Sequence, residues 1–152
     1  GTTLEFESPG RFTPIADMVG GGPFRLLPGQ WTDDTSMALC LAESLIETGG
    51  FEPLDQLERY CRWHRQGHLS STGKCFDIGG TTWEALNQFE QRKRPYPGPT
   101  EPYKAGNGSI MRLAPVPLRY AADPEQAIFF AAQSSRTTHG AWECVDACRY
   151  LG

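Results

Sequence analysis

No apolar run in this 152-residue chain approaches the ~20 residues needed to cross a bilayer. No secretory leader is visible either, although the chain opens with Gly1 and not Met. Positive charge is short: 14 Lys and Arg face 18 Asp and Glu, a formal net charge of −4. A nucleic-acid-binding domain would carry a basic stripe, so neither nucleic acid nor membrane is an expected partner. No stretch alternates apolar and polar residues convincingly over the length of a strand, which leaves helices to account for the apolar pattern. The cysteines number five, Cys40, Cys61, Cys75, Cys144 and Cys148, an odd count scattered through predicted helices. That excludes a complete disulfide framework and points to reduced thiols in a cytoplasmic protein. Cys144 and Cys148 stand four apart, the spacing of one buried helix face. Cys61, His64, His68 and Cys75 could gather as soft ligands, but the paired C-x2-C and H-x3-5-H spacing of zinc modules is absent.

What the chain does have is Gln30-Trp31-Thr32-Asp33-Asp34-Thr35-Ser36-Met37-Ala38-Leu39. Two adjacent carboxylates flanked by hydroxyls stand directly before an apolar helical run. Adjacent carboxylates repel, so they need helix N–H groups, a cation or water as compensation. Helix capping explains one or two of these residues. The alternative is a hard-cation site, because Thr32, Asp33 and Asp34 all offer the oxygen donors that Mg²⁺, Mn²⁺ or Ca²⁺ accept.

Three later stretches, taken with this one, carry a resemblance: Cys75-Phe76-Asp77-Ile78-Gly79, Gly106-Asn107-Gly108-Ser109-Ile110-Met111-Arg112-Leu113-Ala114-Pro115, and Thr138-His139. Together and in this order they resemble the motifs of the ADP-ribosylglycohydrolases, which include the dinitrogenase reductase-activating glycohydrolase and the ADP-ribosylarginine hydrolases. The resemblance implies a single all-α domain and hydrolysis of the bond between ADP-ribose and an acceptor side chain, commonly arginine. It implies Mg²⁺ or Mn²⁺ held by Thr32, Asp33 and Asp34, with catalytic roles for Asp34, Asp77 and Glu5. Gly106, Asn107, Gly108 and Ser109 would cradle the diphosphate and neighbouring ribose, Met111 would add apolar wall, and His139 would contact the ligand. The expected partner is ADP-ribose or an ADP-ribosylated protein. In the family a Gly-Asp-Ala-Leu-Gly element comes first, of which Gly1 would be the last residue, and an Asp-x-Asp-Thr motif arrives well downstream to complete a two-metal site. The chain is therefore expected to be the N-terminal portion of the family's domain, with about half of the metal ligands. Homo-oligomers through exposed apolar surface are the further expectation, and a binding module without turnover is the alternative function.

The remaining segments read as helices and connectors. A short helix is possible over Ile15 to Val19, inside a stretch otherwise rich in turn signals. Met37, Ala38, Leu41, Ala42 and Leu45 give one buried face over 34–48, stopped by Gly49. A second helix is expected from Pro53 to near Gly67, with Leu54, Leu57 and Cys61 inward and Arg59, Arg62 and Arg65 in solvent. Gly73-Lys74 lacks the first glycine and the hydroxyl of a phosphate loop. Thr81-x-x-Glu84 has the form of a capping box before a third helix that turns Trp83, Leu86 and Phe89 inward. The proline-rich stretch from Arg92 to Lys104 reads as a surface loop. Gly106–Ser109 should lead into a short helix that Pro115 and Pro117 interrupt. Asp123-Pro124 then caps and opens a further helix, and a last one starts at Ala141.

Overall fold

A computed structural model describes residues 2–152, and Gly1, expected to end a Gly-Asp-Ala-Leu-Gly element, lies outside the described residues. Among the described residues there are six α-helices and no strand: α1 (Asp33–Glu47), α2 (Pro53–Gln66), α3 (Gly80–Arg92), α4 (Pro115–Arg119), α5 (Pro124–Arg136) and α6 (Trp142–Leu151). Two short 3-10 turns, Thr2–Leu4 and Pro102–Lys104, and one isolated bridge between Gly21 and Leu26 complete the regular structure. The expected all-α architecture is what forms.

Helix α1 is the central element. It packs against α2 on one side and α4 on the other, α5 lies against α4 and α6, and α3 extends from α2. Met37, Cys40, Leu41 and Leu45 of α1 meet Leu57, Tyr60, Cys61 and Trp63 of α2, Leu86 and Phe89 of α3, and Leu113, Val116, Ala131 and Cys148 beyond. Successive turns of α1 are thus clamped by apolar contact, which holds its N-terminus in place. Asp123 caps α5 as expected, accepting the Gln126 amide at 3.1 Å with Pro124 in the first turn. Cys144 and Cys148 are buried on one face of α6, and all five thiols are free.

The tertiary structure corrects several local expectations. Ile15–Val19 forms no helix, since five residues with no packed face cannot repay nucleation. In α2, Leu54 is exposed and Arg59 is buried, the reverse of the expected faces. Arg59 is drawn inward by three carboxylates, Glu43 at 2.5 Å, Asp55 at 2.6 Å and Glu47 at 2.8 Å. The capping box at Thr81 is not made: α3 begins two residues earlier, Thr81 Oγ1 donates to the Lys104 carbonyl at 3.0 Å, and Glu84 pairs with Lys104. Trp83 consequently faces solvent.

The proline-rich connector is also more than a surface loop. Pro97 and Pro99 are buried, the Gly98 amide donates to the Arg136 carbonyl at 3.1 Å, and the Gly140 amide donates to Pro99 at 2.8 Å. A side chain at Gly98 would come within 2.6 Å of the His139 amide, so the connector and the α5–α6 turn touch backbone to backbone. Pro115 opens α4 instead of ending a helix. The preceding 107–112 segment is a turn with one helix-type bond, Met111 N–H to the Asn107 carbonyl at 3.0 Å. It stops there because the Arg112 guanidinium takes the Gly108 carbonyl, the acceptor a continuing helix would offer to the Arg112 amide.

Candidate functional site

Thr32 occupies the N-cap position of α1, yet its side chain makes no capping hydrogen bond. The N-terminus is positioned from outside the helix. Trp31 Nε1 donates to the Leu69 carbonyl at 3.2 Å, Ser71 Oγ donates to the Trp31 carbonyl at 2.6 Å, and Gln30 Nε2 donates to the Ser71 carbonyl at 3.2 Å. Thr32 and Asp33 are buried by this arrangement, while Asp34 and Thr35 point outward.

Burial, with Asp77 and Asp34 as negative neighbours, pushes the Asp33 carboxyl from its ordinary 3.8 up to about 7. Asp77 is itself raised, by burial first and then by Glu5 and Asp34. Its backbone sits in the left-handed region, φ 57°, a conformation few non-glycine residues adopt and one concentrated at functional sites. Four carboxylates from three separate segments, Glu5, Asp33, Asp34 and Asp77, therefore act on one another, and no basic side chain figures among the influences on Asp33 or Asp77.

Two adjoining cavities open at this point. The larger, about 540 Å³, is lined by Leu4, Glu5, Gln30, Trp31, Thr32, Asp34, Thr35 and Asn107. The smaller, about 190 Å³, lies between Asp33, the 79–82 start of α3, Gly106–Gly108, Met111 and His139. Asn107 belongs to both walls. The structure thus brings Glu5, Thr32, Asp33, Asp34, Gly106, Asn107, Gly108, Met111 and His139 to one composite cleft, with Asp77 coupled to it electrostatically. Ser109 is different: its hydroxyl is buried, accepting from Ser135 Oγ at 3.0 Å and from Cys148 Sγ at 3.5 Å, and it lines neither cavity.

The 106–108 loop is held closely. Gly106 bonds to Cys144 Sγ through both its amide, at 3.4 Å, and its carbonyl, at 3.3 Å. A side chain at Gly108 would reach within 2.6 Å of His139 Cε1 and 3.0 Å of Thr82 Oγ1. His139 is buried with Nδ1 2.9 Å from Thr138 Oγ1, and burial first, then the Arg112 charge, lowers it from 6.5 to about 4, so it is neutral at physiological pH.

The donor set offered to a cation is all oxygen: the Thr32 hydroxyl with Asp33, Asp34 and Asp77. Unneutralised carboxylates with a raised Asp33 suit a hard divalent ion. Among the described residues no three His, Cys, Asp or Glu side chains are gathered closely enough to enclose one, so an ion here would have to take most of its ligands from water or from outside these residues. The zinc alternative finds no such gathering either, and His68 instead meets Glu43 at 2.7 Å. Leu4 and Thr82 join the cleft walls with no motif of their own to mark them, whereas Gln30 and Trp31 belong to the stretch that opens α1.

The family model described as ADP-ribosylglycohydrolase matches residues 1–152. An ADP-ribosylarginine hydrolase Tri1 of Serratia proteamaculans is 47% identical over 100% of this chain and 41% of its own length. An ADP-ribosyl-[dinitrogen reductase] glycohydrolase of Rhodospirillum rubrum is 31% identical over 100% of this chain and 50% of its own. A solved structure described as an ADP-ribosylglycohydrolase-related protein complex superposes with a TM-score of 0.83 at 43% identity, covering 99% of this chain and 47% of that one. The chain thus spans between 41% and 50% of the length of these relatives. With the match running from its first residue to its last, the chain belongs to the ADP-ribosylglycohydrolase family.

Proposed function

We propose that this protein takes part in hydrolysis of the bond joining the anomeric carbon of ADP-ribose to an acceptor side chain, with arginine as the acceptor. The observation that carries the reading is the set of mutually repelling carboxylates beside the Gly106–Gly108 loop, with Asp33 pushed to about 7. The arginine acceptor rests on the relatives named ADP-ribosylarginine hydrolase.

Asp33, Asp34 and the Thr32 hydroxyl would hold Mg²⁺ or Mn²⁺, with Asp77 beside them; such an ion, when bound, orients sugar hydroxyls and lowers the pKa of water. The backbone of Gly106, Asn107 and Gly108 faces the cleft and suits a diphosphate, with Met111 as apolar wall. Neutral His139 accepts or donates a hydrogen bond without adding charge. Glu5, on the wall of the larger cavity, or Asp77, which feels the charges of Glu5 and Asp34, would take the proton of the attacking water. The free thiols suit a reducing compartment, and we place the protein in the cytoplasm. Among the described residues no helix is long and apolar enough to cross a membrane.

The open ligand set favours one other reading, a module that binds ADP-ribose without turnover. Calorimetric titration of ADP-ribose, with and without Mg²⁺ or Mn²⁺, on the parent and on an Asp33→Ala, Asp34→Ala double variant separates the two when paired with an assay for ADP-ribose released from ADP-ribosylated arginine. Metal-dependent binding and release, both lost in the variant, support the enzyme. Binding without release leaves the module, and no binding to the parent in any condition rejects both.

A further inference from the structure

Arg112 is completely buried, a position arginine rarely takes unless an acid pairs with it. Here no carboxylate meets it: none of the ion pairs among the described residues includes Arg112. Its donors go to neutral acceptors instead. Nε bonds the Tyr60 hydroxyl at 3.0 Å, and one terminal nitrogen bonds the Gly108 carbonyl at 2.5 Å. The other reaches the Ser134 carbonyl at 3.2 Å and Thr137 Oγ1 at 3.0 Å. The guanidinium also lies 4.8 Å from the centre of the Tyr60 ring. Burial raises the Tyr60 phenol, so that partner stays uncharged too.

The cleft has the opposite shortage. Among the described residues neither cavity wall includes a Lys or Arg, and the neutral His139 adds no positive charge. A diphosphate carries two negative charges and would have to sit near Asp33 and Asp34. The Gly108 carbonyl that Arg112 holds belongs to the loop facing that cleft, so the uncompensated charge lies directly behind it. In an interior of low polarisability such a charge acts over several ångströms.

We propose that Arg112 is the positive counter-charge for the diphosphate, a positioning residue that works from behind the Gly106–Gly108 loop without touching the ligand. This rests on the ADP-ribose reading above. It accounts, among the described residues, both for a buried cation that no acid pairs and for cavity walls that carry no basic side chain.

The test compares Arg112→Lys with Arg112→Gln by titration of ADP-ribose in a buffer containing Mg²⁺, with folding verified by near-ultraviolet circular dichroism. Arg112→Lys keeps the charge and loses the five-donor fork, whereas Arg112→Gln keeps a hydrogen-bond donor and loses the charge. The expected result is a dissociation constant within about threefold of the parent for Arg112→Lys and at least about tenfold weaker for Arg112→Gln. Equal weakening in both variants, or none in either, overturns the proposal and leaves Arg112 a structural staple. If Arg112→Gln does not fold, Arg112→Lys is titrated across the range in which the buried lysine loses its proton, followed by nitrogen NMR. Because Asp33 titrates in the same range, the quantity read is the ratio of the two affinities: it must fall for Arg112→Lys relative to the parent as the lysine neutralises, and a constant ratio overturns the proposal. A parent that binds no ADP-ribose rejects the functional reading itself, a distinct outcome.

Discussion

The α-carbon of Gly108 presses on the imidazole of His139 so closely that a methyl group there would lie 2.6 Å from Cε1. The two residues are 31 positions apart, and their contact closes the back of the smaller cavity. Gly108→Ala is expected to cost about 1–3 kcal/mol through overpacking and to weaken ADP-ribose binding on the order of tenfold, each 1.4 kcal/mol being one decade. Chemical denaturation and calorimetry read the two effects. A double variant with His139→Ala should recover part of the stability, and the absence of any recovery would show that the clash lies elsewhere.

Asp33 is a carboxylate the metal-free fold would rather see protonated. Its pKa is raised from 3.8 to about 7, so the unfolded chain releases this proton first and the group's destabilisation is complete above pH 7. Asp33→Asn is therefore expected to stabilise the metal-free protein by about 1–3 kcal/mol near pH 8 and by almost nothing near pH 4. An ordinary helix-initiating Asp predicts the opposite sign, a loss of about 0.3–1 kcal/mol. Thermal melts at the two pH values decide between them.

His139 titrates with the reverse effect. Its folded pKa is lowered from 6.5 to about 4, so the unfolded state binds the proton first as the solution is acidified. The associated stability is intact above pH 6.5 and is lost as pH falls toward 4, by about 3 kcal/mol in total. Asp33 changes in an overlapping window with opposite sign, so the quantity to measure is the difference between the parent and His139→Gln. That difference should shrink on acidification; a constant difference from neutral pH down to pH 4 would mean that His139 is not held neutral.

Arg59 is sequestered by Glu43, Glu47 and Asp55, which are partly exposed. Arg59→Ala leaves three like charges together and is expected to cost about 2–3 kcal/mol, below the range for a fully buried pair because water screens the acids. None of these four residues lines either cavity, so ADP-ribose affinity should be unchanged at a temperature where the variant is folded. A comparable loss of affinity would tie the α1–α2 contact to the site.

Phe129 and Trp142 expose apolar surface across the groove between α5 and α6. Association of the protein through this face is expected to show as a concentration-dependent mass in size-exclusion chromatography with light scattering, reduced by Phe129→Glu. A monomer at every concentration removes the expectation.

Local chemistry was enough for a good part of this. The 3.6-residue spacing of Met37, Leu41 and Leu45 is a property of the chain itself, and so are the Asp123-Pro124 start and the Cys144/Cys148 face; each appears where periodicity and capping place it. Residues from all four motifs, Asp33, Gly79, Asn107 and His139 among them, stand at the walls of the two adjoining cavities, although Asp77 lines neither. The motifs could not foretell that Ser109 would spend its hydroxyl on Ser135 and Cys148, since those partners come from α5 and α6. Arg59 and Trp83 illustrate the same limit. An arginine on a helix reads as solvated until three acids from two helices surround it, and a tryptophan reads as buried until its helix begins two residues early. Arg112 belongs with them: its type is written in the chain, but its burial without an acid depends on Tyr60, Ser134 and Thr137 arriving from distant segments. Periodicity and end-chemistry act over a few residues, so the linear order of the chain carries the helices and motifs. Electrostatic environment sums over everything folded nearby, so the charge state of Asp33, the neutrality of His139 and the lone guanidinium behind the loop exist only once the helices have packed.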